Sequence, residues 1–131
     1  KISYDLNQLK NFINTCNNRS DVKLFGIFTN VDNIHIGNIK FDEINLLNKS
    51  ATFGILIGDK DFRGKGFAKE AIIASVLWLK DNYDIETIKL GVDHENISAL
   101  NLYLKLGFKI IDKTKTGGYI MEAKIRELSN I

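Results

Sequence analysis

The sequence predicts an α/β fold, a mixed sheet with helices on its faces, and three observations carry that reading. Short extended runs alternate along the chain with longer stretches in which apolar residues recur at helical spacing, in the order α-β-β-β-α-β-α-β-β. The chain has no proline, so its glycines and Asn/Asp clusters mark the boundaries between these stretches. Finally, 131 residues with 44% hydrophobic content are the size and composition of one domain around a single core.

Each element has its own signal. Residues 5–17 place Leu6, Leu9, Phe12, Ile13 and Cys16 on one helical face, and Asn17 and Asn18 can end that helix. VKLFGIFTN (22–30) and NIHIGNIKF (33–41) are two extended runs joined in a hairpin. ATFGILIGD (51–59) is a third, apolar enough to be central, after a polar loop from Asp42 to Ser50. Residues 65–82 read as a helix burying Ala68, Ala71, Ile72, Val76 and Leu79. TIKLGVD (87–93) alternates as a strand with Ile88, Leu90 and Val92 on one face. A short helix over 97–106 stops at Gly107, and GFKIIDK and YIMEAKIREL close the sheet as two strands around TKTGG. The last of these can pair at an edge of the sheet, which allows a homodimer.

Composition excludes several function classes. A net charge of +2 with interspersed signs lacks the concentrated basic face of nucleic-acid domains. No run approaches the roughly 18 apolar residues of a membrane span, and the first residues do not read as a signal peptide, so the expectation is a cytoplasmic protein. The single cysteine, Cys16, has no partner for an internal disulfide and no ligand-spaced neighbours, so no metal site is expected.

The stretch DFRGKGFAKEA (61–71) carries the chemistry. A strand ending near Gly58, followed by Arg63, Gly64, Lys65, Gly66, Phe67 and Ala68 opening a helix, directs consecutive backbone N–H groups to one spot at the positive end of the helix dipole. That is an anion site. A side chain at 64 or 66 would hold a phosphate away from the backbone. The triphosphate loop is excluded because Lys65 is followed by Gly66 rather than Ser or Thr, and the dinucleotide fingerprint because Lys69 stands where a small residue is required.

A second segment lies about thirty residues on, HENISALNLYLKLGF (94–108). The pattern Arg63-x-x-Gly66-x-Ala68, then Asn96-x-Ser98-Ala99-x-x-x-Tyr103-x-x-x-Gly107-Phe108, resembles the GNAT superfamily of acyl-CoA-dependent N-acetyltransferases over roughly residues 22–127. Ile36-Gly-Asn-Ile-Lys40 and the run from Gly54 to Ala68 look more narrowly like its ribosomal-protein-type branch. Members of that branch usually begin with a strand and a helix ahead of the position of Lys1, so the resemblance implies a single domain over 1–131 lacking those elements.

The resemblance implies a mostly antiparallel sheet splayed between strands 51–58 and 87–93, with acetyl-CoA as co-substrate. Its pyrophosphate would rest on the amides of residues 63–68, and its pantetheine would run along Ile55, Leu56 and Ile57. A main-chain N–H around Ile57 would serve the thioester oxygen. Asn96 would contact the cofactor, cap the following helix, or do both, and Ala99 and Tyr103 would complete the cofactor wall.

Acetyl transfer to an amine expels CoA as a thiolate, and a phenol beside the sulfur can donate the proton, which makes Tyr103 the candidate acid. Ala99 and Tyr103 lie one turn apart, opposite Leu100 and Leu104, so Tyr103 need not belong to the core. The base is less marked. The narrower branch often has a glutamate two residues before the glycine equivalent to Gly54, where this chain has Thr52. Glu43 is the leading alternative, with Asp42, His35, His94 and Glu95 behind it. Deprotonating a lysine-type amine at pH 7 costs ~4–5 kcal/mol against about 1 for an α-amino group. The expected acceptor is therefore an amine of modest pKa, an amino sugar or a polypeptide N-terminus, acetylated by direct attack. The rival reading is a domain that binds acyl-CoA and regulates a partner without catalysis.

Overall fold

The computed structural model describes residues 13–14, 21–29, 32–58 and 66–129. They form β1 (Ile13–Asn14), β2 (Lys23–Phe28), β3 (His35–Asn45), β4 (Ser50–Ile57), α1 (Phe67–Tyr83), β5 (Thr87–Asp93), α2 (Ile97–Leu106), β6 (Lys109–Lys113) and β7 (Gly118–Lys124), then a 3₁₀ turn at Ile125–Glu127. One seven-stranded sheet runs β1-β2-β3-β4-β5-β7-β6. Only β4–β5 pairs in parallel, so the sheet is mixed and mostly antiparallel, as expected.

Register explains which face is buried. Residues opposite one another share a face, and Phe25↔Ile39↔Ile55 and Phe41↔Phe53↔Leu90↔Met121 run across the strands as two rows. Phe25, Ile39, Phe41, Phe53, Leu90 and Met121 are all buried. Trp78 of α1 meets Phe25 edge-on at 5.4 Å, and Tyr103 of α2 meets Phe53 at 5.9 Å, so both described helices cover this same face. Parallel strands need a crossover, and successive right-handed crossovers in one direction place their helices on one side of a sheet. The alternate row is different: Lys40, Gly54 and Lys89 are exposed.

Local chemistry sets the element ends. Gly66 precedes α1 with φ 87, and Asp84 closes it at φ 58, its N–H donating to Lys80. The Asn96 side chain accepts from the Ala99 N–H to cap α2, and Gly107 at φ 113 stops it. Asn48 N–H donates to Asn45 Oδ1 at 2.9 Å, tightening the β3–β4 turn.

Four expectations are corrected. Ile13 and Asn14 are not helical; they pair with Phe25 and Leu24 as an edge strand, where β2 supplies the backbone partners that apolar spacing alone does not reveal. The rest of the expected 5–17 helix lies outside the described residues. The 42–50 segment is not a loop, because β3 runs on to Asn45 through a bulge at Glu43 with φ 48, and only residues 46–49 turn. The final stretch stops being a strand at Lys124, and β7 is internal, so β6 rather than the last segment forms the edge and the pairing surface expected for a homodimer is not there.

Candidate active site at the fork between β4 and β5

The two central strands separate because each keeps its outer partner. They pair from Ser50↔Thr87 to Phe53↔Leu90. Beyond Phe53, β4 stays beside β3 to Gly37↔Ile57, and Gly58 N–H donates to Ile36 O at 2.9 Å. Meanwhile β5 stays beside β7 to Asp93↔Gly118. The closed end of the fork is clamped at Lys49, whose carbonyl accepts from Glu86 and Thr87 N–H and whose ammonium lies 3.1 Å from Asp84 and 3.8 Å from Glu86. The Asp84 contact raises the Lys49 pKa. Since Gly58 N–H points to β3, strand alternation puts the Ile55 N–H on the β5 side of β4, at the fork.

A cleft of about 580 Å³ opens on the helical side of the fork. Its floor is Ile55, Leu56 and Ile57, one wall is Gly66, Ala68 and Lys69 at the start of α1, and the other is Asn96, Ser98, Ala99, Leu102 and Tyr103 of α2. The α1 wall is the positive end of a helix dipole, where first-turn amides have no intrahelical acceptor, and Lys69 adds a cation beside it. Gly66 needs its left-handed φ of 87 to start the helix there; a β-carbon would meet nothing within 4 Å, so the requirement is conformational.

Tyr103 is only 7% exposed and packs between Phe53 and Phe108, each 5.9 Å from its ring. It is part of the core, contrary to the expectation from its helix face, and it lines the cleft as well. Its hydroxyl has no hydrogen-bond partner among the described residues. Burial raises its pKa, which keeps the phenol protonated and available as a donor.

The structure thus gathers Ile55, Leu56, Ile57, Gly66, Ala68, Asn96, Ala99 and Tyr103 around one cleft. Phe67 is half-buried against the core at the same helix start. Arg63, Gly64 and Lys65 lie outside the described residues. Glu43 does not line the cleft: it is exposed at the β3 bulge, opposite the closed part of the fork. Asp42 sits 3.7 Å from Lys40. His35 stacks on Phe28 at 4.8 Å and shares a 3.0 Å hydrogen bond with Asn38, while the His94 ring contacts the Gly117 carbonyl and Asp93. Lys69 and Leu102 were not anticipated, and Ser98 was noted only as part of the family pattern. Their signal was present, for Ser98 and Leu102 repeat the one-turn spacing of Ala99 and Tyr103, and Lys69 follows Gly66 by three residues.

A profile of the acetyltransferase (GNAT) domain family matches residues 2–109. Spermidine N(1)-acetyltransferase of Vibrio cholerae is 36% identical over 73 residues, 56% of this chain and 42% of that protein. The Escherichia coli (strain K12) protein of the same name is 32% identical over 74 residues, 56% of this chain and 39% of its own length. The chain therefore spans about two fifths of these curated relatives. Among solved structures, Vibrio cholerae spermidine N-acetyltransferase in complex with CoA and spermine superposes with a TM-score of 0.75 at 24% identity, covering 82% of this chain and 68% of that one. This likeness fixes the fold. A dodecameric structure of spermidine N-acetyltransferase from the same organism gives 0.73 at 25% identity, over 82% of this chain and 67% of the other. None of these relatives supports the ribosomal-protein-type branch. The forked sheet, the helix start at Gly66 and the match across most of the sequence place this chain in the GNAT acetyltransferase family.

Proposed function

We propose that this protein is an N-acetyltransferase that moves acetyl from acetyl-CoA to a primary amine of a small molecule. One observation carries the reading: the cleft joins a helix N-terminus suited to a diphosphate with a buried phenol, without a hydrogen-bond partner among the described residues, at the far wall. The residues fit the co-substrate. The amides at Gly66 to Lys69, with Arg63, Gly64 and Lys65 preceding them in sequence, would hold the pyrophosphate, and the pantetheine would run along the cleft floor at Ile55–Ile57.

The amine nitrogen attacks the thioester carbonyl directly, the C–N bond forms and the C–S bond breaks. The ammonium first gives a proton to water, and the free amine that attacks gives up a second as the amide forms; CoA leaves as a thiolate that takes the Tyr103 proton, and the phenolate is reprotonated from water. No carboxylate lines the cleft among the described residues, which leaves positioning as the main source of rate, with effective molarities of ~10⁵ M or more available to well-aligned reactants. The names of the relatives favour a polyamine over an amino sugar or a peptide N-terminus. The cost of deprotonating such an amine, ~4–5 kcal/mol at pH 7, then makes the rate rise with pH.

The rival reading, a domain that binds acyl-CoA to regulate a partner, draws on the same lack of a carboxylate and on Thr52 at the strand position where an acid was expected. Release of CoA thiol from acetyl-CoA, measured with spermidine, glucosamine and a short peptide as separate acceptors, decides between them. The enzyme reading expects turnover, fastest with spermidine; intact acetyl-CoA binding with no thiol release from any of the three supports the regulator.

A further inference from the structure

The segment Ile36-Gly-Asn-Ile-Lys40, noted in the sequence for its resemblance alone, has a structural consequence at the cleft. Gly37 lies on β3 directly opposite Ile57, the last paired residue of β4. A β-carbon built on Gly37 would overlap the Leu56 carbonyl oxygen and stand 3.0 Å from both the Leu56 carbonyl carbon and the Ile57 Cα. Gly37 is not among the glycines with positive φ, so backbone conformation is not what excludes a side chain. The neighbouring main chain excludes it. Here β4 lies closer to β3 than any other residue at 37 would permit.

This close approach falls where β4 has already left β5. The last β4–β5 pair is Phe53↔Leu90, and Leu56 and Ile57 are both cleft residues. Other glycines on the central strands behave differently: a β-carbon at Gly54 meets nothing within 4 Å, and one at Gly91 meets only the Ile120 Cδ1, at 3.9 Å. The tight contact is therefore local to the open part of the fork.

We propose that Gly37 is a positioning residue that sets the width of the acyl-CoA cleft by letting the end of β4 draw in against β3 and away from β5. The inference rests on the acetyltransferase reading of the fork. An alanine at 37 forces the Leu56–Ile57 main chain to move by about 1 Å to regain van der Waals separation. That chain is part of the cleft floor along which the pantetheine would run. A displacement of this size is enough to cost ~10²-fold in rate when it misaligns reacting groups.

The test compares the full chain with Gly37→Ala and Gly54→Ala, using acetyl-CoA titration, steady-state kinetics and backbone amide NMR. Gly37→Ala is expected to weaken acetyl-CoA binding at least tenfold and raise its KM. The amide signals of residues 55–58 shift while those of residues 50–53 hold, and Gly54→Ala stays within twofold of the parent. Equal affinity in Gly37→Ala and the parent, or equal losses in both variants, overturns the proposal. A parent chain that binds no acetyl-CoA overturns the acetyltransferase reading instead, and the amide shifts then judge the width of the fork. If Gly37→Ala does not fold, an experimental structure of the parent decides: a β-carbon position within 3 Å of the Leu56 oxygen supports the contact, and one beyond 3.4 Å removes it.

Discussion

Changing Tyr103 to Phe removes one oxygen and nothing else. The ring keeps its edge contacts to Phe53 and Phe108, both at 5.9 Å, so the core is not opened. Because the hydroxyl has no partner among the described residues, its removal strands no other polar group. The hydroxyl edges the open cleft, so Tyr103→Phe is expected to leave stability within about 1 kcal/mol of the parent. At about 4 °C per kcal/mol for a domain of this size, the melting temperature stays within about 4 °C. Catalysis responds far more strongly. Loss of a proton donor to the leaving thiolate removes ~10²–10⁴ in kcat, or about 3–5 kcal/mol of transition-state stabilisation. The assay is CoA-thiol release at saturating acetyl-CoA, paired with thermal melting. A kcat within threefold of the parent would refute the assignment of Tyr103 as the acid, and a melting temperature lowered by more than 5 °C would refute the account of its hydroxyl.

Other outcomes follow from the same geometry. Asn96→Ala removes the side chain that caps α2, which costs about 1 kcal/mol and lowers the melting temperature by about 4 °C. Gly66→Ala places a β-carbon at φ 87 and costs roughly 1–2 kcal/mol through backbone strain, checked by urea unfolding. Glu43 is exposed and outside the cleft, so Glu43→Gln leaves kcat within twofold; a tenfold fall would bring it back as the base. The raised Tyr103 pKa means the folded state keeps a proton that the unfolded chain releases near pH ~10. Its contribution is complete below that pH and is lost as pH rises through the higher folded value. Urea midpoints taken from pH 8 to 11 should fall at the alkaline end, less steeply in Tyr103→Phe.

Much of this was legible because local rules and the final fold agree. The spacing of Ile88, Leu90 and Val92 announced β5, and Gly107 announced the end of α2, since neither depends on distant partners. Gly66 and Asn96 could be read as helix starts for the same reason, and both line the cleft. What failed depended on tertiary pairing. Ile13 carries apolar spacing compatible with a helix, yet its backbone is taken up by the edge of β2. Asp42 to Asn45 look like a polar loop because the bulge at Glu43 breaks the alternation that would mark a strand. Tyr103 seemed free of the core because helix spacing cannot show that Phe53 and Phe108 approach from two other elements.

The central claim is that the cleft at the start of α1 binds acyl-CoA. Calorimetric titration of acetyl-CoA into the full chain and into Gly66→Asp tests it most directly. Asp tolerates the left-handed conformation better than most residues, so the variant chiefly adds a negative charge where the diphosphate would sit. Micromolar binding to the parent that weakens at least tenfold in Gly66→Asp is the predicted result. No heat of binding to the folded parent, or equal affinity in both proteins, would contradict it.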